Sequence, residues 1–396
     1  MLRYRDRNIR ICSRCVYDET VPDITFDQGG VCNYCHLHDS LELQYPTGEE
    51  GARKLDALLA DIKRSGEGKK FDCVVGVSGG CDSSYLLHQM VEHGLRPLAV
   101  HFDNTWNSPT ATQNIYKVLG KLGVELYTHV VDNKEFDDIY RSFLLAGLKD
   151  AEGVTDIGLA STMYMAAEKF GIKYIVEGHS FRTEGISPLG WLYMDGKLTA
   201  SVHRQFGRLP MKTFPNMTLQ RFLRWTTVRA IRRVRPLYYM DYDKNAARQM
   251  LSDRYGWQWY GGHHLENRLT AFYHSYYLPQ RFNSDYRLLG HAALVRSKQL
   301  ARAEALEMLD QPPELADEIL ALVKKRFGFT DEQFEQVMTA PQHNWREYPT
   351  YKPTFERLRP LFYLLTKTGR VPESFYIKFC FPMAMGQTTH TKASRG

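Results

Sequence analysis

Two constellations in this 396-residue chain have the residue types and spacing for chemistry. The first lies in VVGVSGGCDSSYLLHQM, residues 74–90. Ser78, Gly79 and Gly80 leave a strand-like run and enter a helix-like run. Glycines let backbone N–H groups approach an anion, and a helix N-terminus adds partial positive charge. Ser83 and Ser84 add hydroxyls in the first turn. Asp82 is out of place in a simple anion cradle, but it makes sense if it meets a Mg²⁺ bound to the same phosphates. The G-x-x-x-x-G-K-[ST] cradle of γ-phosphoryl transfer is missing, so kinase-like chemistry has no seat here. Cys81 reads as a small packing residue rather than a nucleophile.

The second constellation is Cys12-x2-Cys15, sixteen residues, then Cys32-x2-Cys35. The interval falls in the roughly 15–20 residues that paired zinc knuckles use. Each knuckle sets two thiolates on one side of a tight turn, and two knuckles close a tetrahedron. A closed four-thiolate shell leaves no open position for water, so the site reads as structural. Zn²⁺ is the expected ion, and an iron–sulfur cluster takes the same four thiolates. Cys73, Cys81 and Cys380 remain as buried or site thiols.

These residues need elements to position them. From Phe71 onward strand and helix patterns alternate. FDCVVGV, RPLAVHF, VELYTHVV and IKYIVEGH read as strands, separated by helical patterns over 83–94, 108–123, 135–148 and 155–170. Such alternation predicts an α/β fold with a doubly wound parallel sheet, its functional loops at the carboxyl ends of the strands. TLQRFLRWTTVRAIRRVR (218–235) reads as one basic amphipathic helix with Thr218 as cap and Pro236 as stop. Helical segments dominate beyond Asn245, and Arg346–Pro360 reads as an extended connector. The expected organisation is a zinc-ribbon-like unit at 1–45, a linker helix at 46–70, a nucleotide-binding domain at 71–240 and a mainly helical C-terminal region at 241–396.

Composition sets outer bounds. A hydrophobic content of 43% and a charged content of 24% are ordinary for a soluble globular chain. No apolar window reaches membrane-span length, and MLRYRDRNIR lacks a signal-peptide core, so a cytoplasmic protein is expected. Its cysteines would then be kept reduced. The net charge of +6 is mild but uneven: residues 201–240 hold nine Arg or Lys and no Asp or Glu. That block predicts either an anionic partner or a solvated helix face.

The stretch S-G-G-x-D-S-S, between strand and helix, resembles the PP-loop of the ATP pyrophosphatase superfamily, whose domains are of the HUP-like type. The resemblance implies cleavage of ATP between its α and β phosphates. It assigns ATP and Mg²⁺ to Ser78, Gly79, Gly80, Asp82, Ser83 and Ser84, adenosine to Asp103 and Asn104 in HFDNTWNS, and the phosphates' surroundings to Gly178 and His179 in EGHSFRTEG. Ser78, Asp82 and His179 become the catalytic candidates. Together with the cysteine pairs, the loop resembles the N-acetyl sugar amidotransferases of bacterial surface-polysaccharide (O-antigen, lipopolysaccharide) and flagellin-glycan biosynthesis. ICSRCVYDETVPDITFDQGGVCNYC and GGHHLENRLTAFYHSYYLPQRFNSDYR (261–287) carry that likeness, which runs from about Ile11 to about Leu306.

The family turns an acetamido group of a sugar nucleotide into an acetamidino group. Its C-terminal region would then bind the sugar nucleotide and partners, with His263, His264, Glu266, Arg268 and Tyr276 as substrate residues. His263 stands where a lysine is expected, and HAALV at 291–295 also departs from the pattern, which leaves the substrate's identity open. The chain has no G-x-C-x-G frame and opens on Met1-Leu2, so it is not expected to use glutamine itself. The resemblance implies a separate glutaminase similar to the histidine-pathway subunit, a synthase-like companion, and no membrane. Two alternatives stand beside this reading. A tRNA thiolation enzyme shares the loop and the cysteine pairs, although no RNA-binding module is recognisable and a nucleic-acid partner is not expected. A zinc-ribbon scaffold that senses ATP would keep the loop without catalysis.

Overall fold

The computed structural model describes residues 9–262 and 265–382. Its centre is a five-stranded sheet of β1 (Cys73–Gly76), β2 (Pro97–Asp103), β3 (Leu126–Val130), β4 (Tyr174–Val176) and β5 (Arg232–Val234), in the order β3-β2-β1-β4-β5. All four pairings are parallel, and Val75 of β1 stands between Ala99 of β2 and Val176 of β4. The chain winds outward from β1 to β3, then returns to lay β4 on the other side of β1. The strand order therefore reverses between β1 and β4, which is where open α/β sheets leave a crevice for ligands.

Both faces of the sheet are covered, as its apolar strands require. Val74, Val100 and Ile175 enter one core with the helices Asn133–Leu145 and Gly153–Lys169 and with the aromatic residues of the C-terminal helices. Val75, Ala99 and Val176 enter the other, against Leu86, Leu87 and Ile115 of the helices Cys81–Glu92 and Pro109–Leu122. Local signals set the helix ends: Ser108 caps the Ala111 N–H ahead of Pro109, and Gly123 closes that helix in the left-handed region. A third cluster gathers the four N-terminal cysteines with Trp191, Leu288, Leu289 and Ala292.

Two sequence expectations are corrected. Residues 218–235 are not one helix. A short helix, Leu219–Leu223, runs into a π turn, Arg224–Val228, and Ala230 at φ 56° turns the chain into β5. Helical periodicity misled because four of its arginines serve carboxylates on other elements: Arg224 and Arg229 pair with Glu168, and Arg233 and Arg235 pair with Glu177. Arg346–Pro360 is not an extended connector either. It holds the 3₁₀ turn Trp345–Glu347, the helix Lys352–Arg357 and the start of the helix Arg359–Lys367. Pro353 and Pro360 sit in the first turns of those helices, where a missing N–H costs nothing. No helix among the described residues is long and apolar enough to cross a membrane.

Candidate functional site

The loops that follow β1 and β4 open into one cavity of about 450 Å³. Gly79 adopts φ 84°, and a side chain there would strike the Ala111 carbonyl oxygen, so the turn and the close approach of the neighbouring helix both demand glycine. Its carbonyl accepts from the Trp257 indole at 2.9 Å and from Asn114 Nδ2 at 3.3 Å. Those bonds hold the loop from behind while Ser78, Gly80, Asp82 and Ser83 line the cavity. The Gly80 N–H donates to Ser78 Oγ at 3.2 Å, and the helix Cys81–Glu92 begins at the next residue.

Asp82 is tied to the C-terminal half. Tyr242 donates its hydroxyl to Oδ1 at 2.7 Å, and the buried Lys244 ammonium pairs with Oδ2 at 3.0 Å. Ser78 Oγ donates to Glu266 Oε1 at 3.1 Å, so a carboxylate from a distant segment stands at the mouth of the loop. Glu184 joins these groups in the lining. Burial, then the nearby charge of Asp82, pushes its carboxyl well above the ordinary range. Two lone pairs on each carboxylate oxygen leave Asp82 able to take a hard cation beside its two donors. The donor set at the loop thus fits Mg²⁺.

His179, on the loop after β4, shares a 3.1 Å bond between Nδ1 and the Tyr238 hydroxyl. Arg235 Nη1 also reaches that hydroxyl, at 3.1 Å. A guanidinium only donates, so the Tyr238 oxygen accepts from Arg235 while it shares its bond with His179 Nδ1. Gly178 packs on the Asp82–Ser83 backbone, which brings the two loops together.

The other sequence candidates are placed elsewhere. Ser84 is buried behind the loop. Asp103 ends β2, Asn104 follows it, and both are absent from the described cavity lining. Asp103 Oδ1 accepts from the Thr105 N–H at 2.7 Å, and Asn104 Oδ1 from the Trp106 N–H at 3.1 Å and Asn267 Nδ2 at 2.9 Å. Of the substrate candidates among the described residues, only Glu266 lines the cavity. Arg268 bonds the backbone oxygen of Asn107, and Tyr276 stacks on Phe272. His263 and His264 lie outside the described residues. Cys81 is buried against Tyr242, and burial pushes its thiol up to about 11, in keeping with a packing role.

Sequence reasoning missed the far wall. Tyr351, Phe355, Phe375 and Phe379 from the last fifth of the chain close the cavity with Phe222 and Met163. It also missed Lys244, Tyr242, Arg233 and Arg235. No motif marks any of them; only the run of arginines signalled that positive charge would be put to use.

The four-cysteine site forms as its spacing demands. The Sγ atoms of Cys12, Cys15, Cys32 and Cys35 lie within 4.8 Å of one another, all buried. Cys12–Cys35 is 3.9 Å, Cys15–Cys32 is 3.7 Å and Cys32–Cys35 is 3.6 Å. Four sulfurs about 2.3 Å from a tetrahedral Zn²⁺ stand about 3.8 Å apart, so the set fits that ion. Backbone N–H groups of Arg14, Cys15 and Cys32 point at Cys12 Sγ from 3.2 to 3.4 Å. The buried Arg296 adds Nη2 to Cys15 Sγ at 3.2 Å and Nε to Cys35 Sγ at 3.4 Å. A guanidinium there offsets part of the excess negative charge of four thiolates around a dication.

Comparison with known proteins gives one family-model match and two likenesses to solved structures. The family model "LPS biosynthesis protein WbpG-like, C-terminal domain" matches residues 266–361, less than half of the chain. No curated protein matches. Among solved structures the chain is similar to NMN synthetase from Francisella tularensis, at 14% identity and TM-score 0.30, covering 72% of this chain and 94% of that one. It is also similar to a predicted subunit of tRNA methyltransferase from Methanocaldococcus jannaschii, at 14% identity and TM-score 0.27, covering 46% and 73%.

Proposed function

We propose that this chain is an ATP-dependent, AMP- and pyrophosphate-forming amidotransferase of bacterial surface-polysaccharide biosynthesis, which turns an acetamido group of a sugar nucleotide into an acetamidino group. One observation carries the reading. The Ser78–Ser84 loop sits at the strand-order reversal and shares its cavity with Glu266, Tyr351 and Phe355, which fall in the segment matched by the lipopolysaccharide-biosynthesis model. An anion cradle and a family-specific segment thus face one space.

The loop N–H groups and the terminus of the helix Cys81–Glu92 would hold the β and γ phosphates. Lys244, buried beside Asp82, would fix that carboxylate toward the phosphates. Mg²⁺ held by Asp82, when bound, would spread the phosphates' charge. The acetamido oxygen attacks the α phosphorus, its new O–P bond replacing the bond to pyrophosphate. Ammonia then adds to the acetamido carbon, AMP departs with the electron pair of the C–O bond, and an amidinium remains. Adenylation of the acetamido oxygen releases the amide N–H proton, which an ionised Glu184 in the same lining would take, so that a neutral imidate and NH₃ give the amidinium and AMP. His179, which lines the same cavity, would hydrogen-bond a phosphate oxygen. Ammonia would come from a separate glutaminase with a synthase-like companion. The four cysteines would carry structural Zn²⁺, and the reaction would take place in the cytoplasm.

The test is incubation with ATP, Mg²⁺, ammonium and a panel of acetamido sugar nucleotides, read by mass spectrometry, with bulk tRNA in a separate tube. AMP, pyrophosphate and a sugar about one dalton lighter, oxygen having been replaced by NH, are expected. AMP release only with tRNA, or no change in any sugar, would sink the proposal.

A further inference from the structure

The basic block of residues 201–240 does not simply face solvent. Arg233 and Arg235 are two residues apart on and just beyond β5, so both side chains leave the same face of the strand. That face turns them into the cavity, where they are the only Arg or Lys among the described lining residues. Between them lies Glu177, the first residue after β4. Arg233 Nε donates to its Oε1 at 2.6 Å, and Arg235 Nε donates to its Oε2 at 3.1 Å. Burial opposes ionisation of Glu177, yet the two guanidinium groups overcome it and hold the carboxyl at about 2.

One carboxylate balances one guanidinium. The second is surplus: among the other acidic groups of the described lining, Asp82 pairs with Lys244, Asp195 accepts from Tyr193 and the Leu198 N–H, Glu266 accepts from Ser78, and burial holds Glu184 toward its neutral form. Each guanidinium carries five donors in a planar fork, and Glu177 and Tyr238 occupy only part of that supply. Arg235 is also fixed by Tyr238, whose ring lies 5.6 Å from its guanidinium carbon. A rigid, net-positive fork in a cavity otherwise lined by carboxyls is a place for a second anion, separate from the one in the Ser78–Ser84 loop. Forked donors of this kind suit the paired oxygens of phosphoryl groups.

We infer that Arg233 and Arg235, set by Glu177 and Tyr238, form a second anion subsite that takes the diphosphate of the acceptor. The inference rests on the loop's being the seat of ATP, and it makes these arginines specificity determinants for a phosphorylated acceptor over a free sugar. The competing source of the same chemistry is the α phosphate of ATP.

Calorimetry would separate the two. The probes are UDP-N-acetylglucosamine and a non-cleavable α,β-methylene ATP with Mg²⁺, titrated into the full chain and its Arg235→Gln and Arg235→Lys variants. The melting point of each variant reports its fold, and the lysine variant keeps a cation against Glu177 if the glutamine variant is unstable. The expected result is sugar-nucleotide binding weakened about tenfold or more in R235Q and less in R235K, with the ATP analogue changed less than about twofold. Sugar-nucleotide binding left intact in folded variants would make the pair purely structural and overturn the inference. Weakening of the ATP analogue, alone or in equal measure, would assign the arginines to ATP and overturn it too. Wild type that binds the analogue but no sugar nucleotide would also overturn it, while leaving the ATP reading in place. Wild type that binds no ATP analogue would bring down the ATP reading first.

Discussion

The four-cysteine site and the cavity are both built around buried charge, but they are assembled in opposite ways. All four thiols come from residues 12–35, the first pair around a bend and the second at the start of the helix Asn33–Gln44. The rest of the protein contributes chiefly Arg296, which reaches three of the sulfurs. The cavity draws on the loops after β1 and β4, on β5, on Glu266 and on aromatic residues beyond 350. Its charges are balanced across segments: Asp82 by Lys244, Glu177 by Arg233 and Arg235. A local site fails as a unit when one ligand goes. A distributed site should lose function in parts while the fold survives.

The largest effect should therefore fall on the local site. Cys32→Ser removes one ligand and leaves Arg296 buried beside a broken thiolate cluster. A loss of about 3–5 kcal/mol is expected, as for breaking a buried charge pair from one side, together with loss of bound metal. Elemental analysis and denaturant unfolding would check both, and elemental analysis of the wild type would distinguish zinc from iron. A folded C32S protein of unchanged stability that still holds its metal would erase the contrast.

Asp82→Asn is the matching change in the cavity. It keeps the shape and the Tyr242 bond but removes the charge that Lys244 and a Mg²⁺ would share. Turnover should fall about 10²–10³-fold, the scale on which one preorganised electrostatic group acts. Stability should fall less than in C32S, because Glu184, whose charge also acts on the buried Lys244, can ionise once Asp82 is neutral. Paired turnover and melting measurements would show whether function and fold separate here. If they collapse together, the cavity is no more modular than the cysteine site.

Legibility in the sequence divides along the same line. Knuckle spacing, the glycine pair and the alternation of strands with helices are short-range signals, and the structure has the cysteine cluster, the loop and the parallel sheet. β5 was hidden because RAIRRVR satisfies a helical period as well as a strand period, and only Glu177, 56 residues from Arg233, decides between them. Lys244 and Tyr242 carry no spacing signal at all; their role exists only through a contact with Asp82 across 160 residues or more. The aromatic wall was equally silent, since Phe355 and Phe379 look like ordinary core residues until the sheet leaves them facing a cavity.

Glu177 gives a test of the distributed balance by pH. Burial raises its carboxyl and the two arginines lower it further, from a usual value of 4.5 to about 2. A folded-state value below the unfolded one adds stability that is complete above about 4.5 and disappears as the pH falls through about 2. The contribution is about 3 kcal/mol at neutral pH, since one pKa unit is worth about 1.4 kcal/mol. Unfolding free energies between pH 5 and pH 2 should therefore slope more steeply in wild type than in Glu177→Gln. Parallel slopes would mean that the arginines are balanced by other groups.

The smallest effect concerns the loop after β2, where the family resemblance puts adenosine and the structure puts a brace. Asn104 is buried, and its side-chain oxygen already accepts from the Trp106 N–H and from Asn267. Arg326 adds to the brace, with its guanidinium carbon 3.9 Å from the Trp106 ring centre and bonds to Asp137 and Thr105. Asn104→Ala strands two donors in a dry interior, which costs about 1–3 kcal/mol. If bracing is its main work, the loss should show in unfolding, while affinity for the non-cleavable ATP analogue should stay within about threefold, roughly 0.7 kcal/mol. Affinity that drops tenfold at unchanged stability would return the residue to adenosine. It would also extend the distributed site along the sheet from the reversal between β1 and β4 to the end of β2.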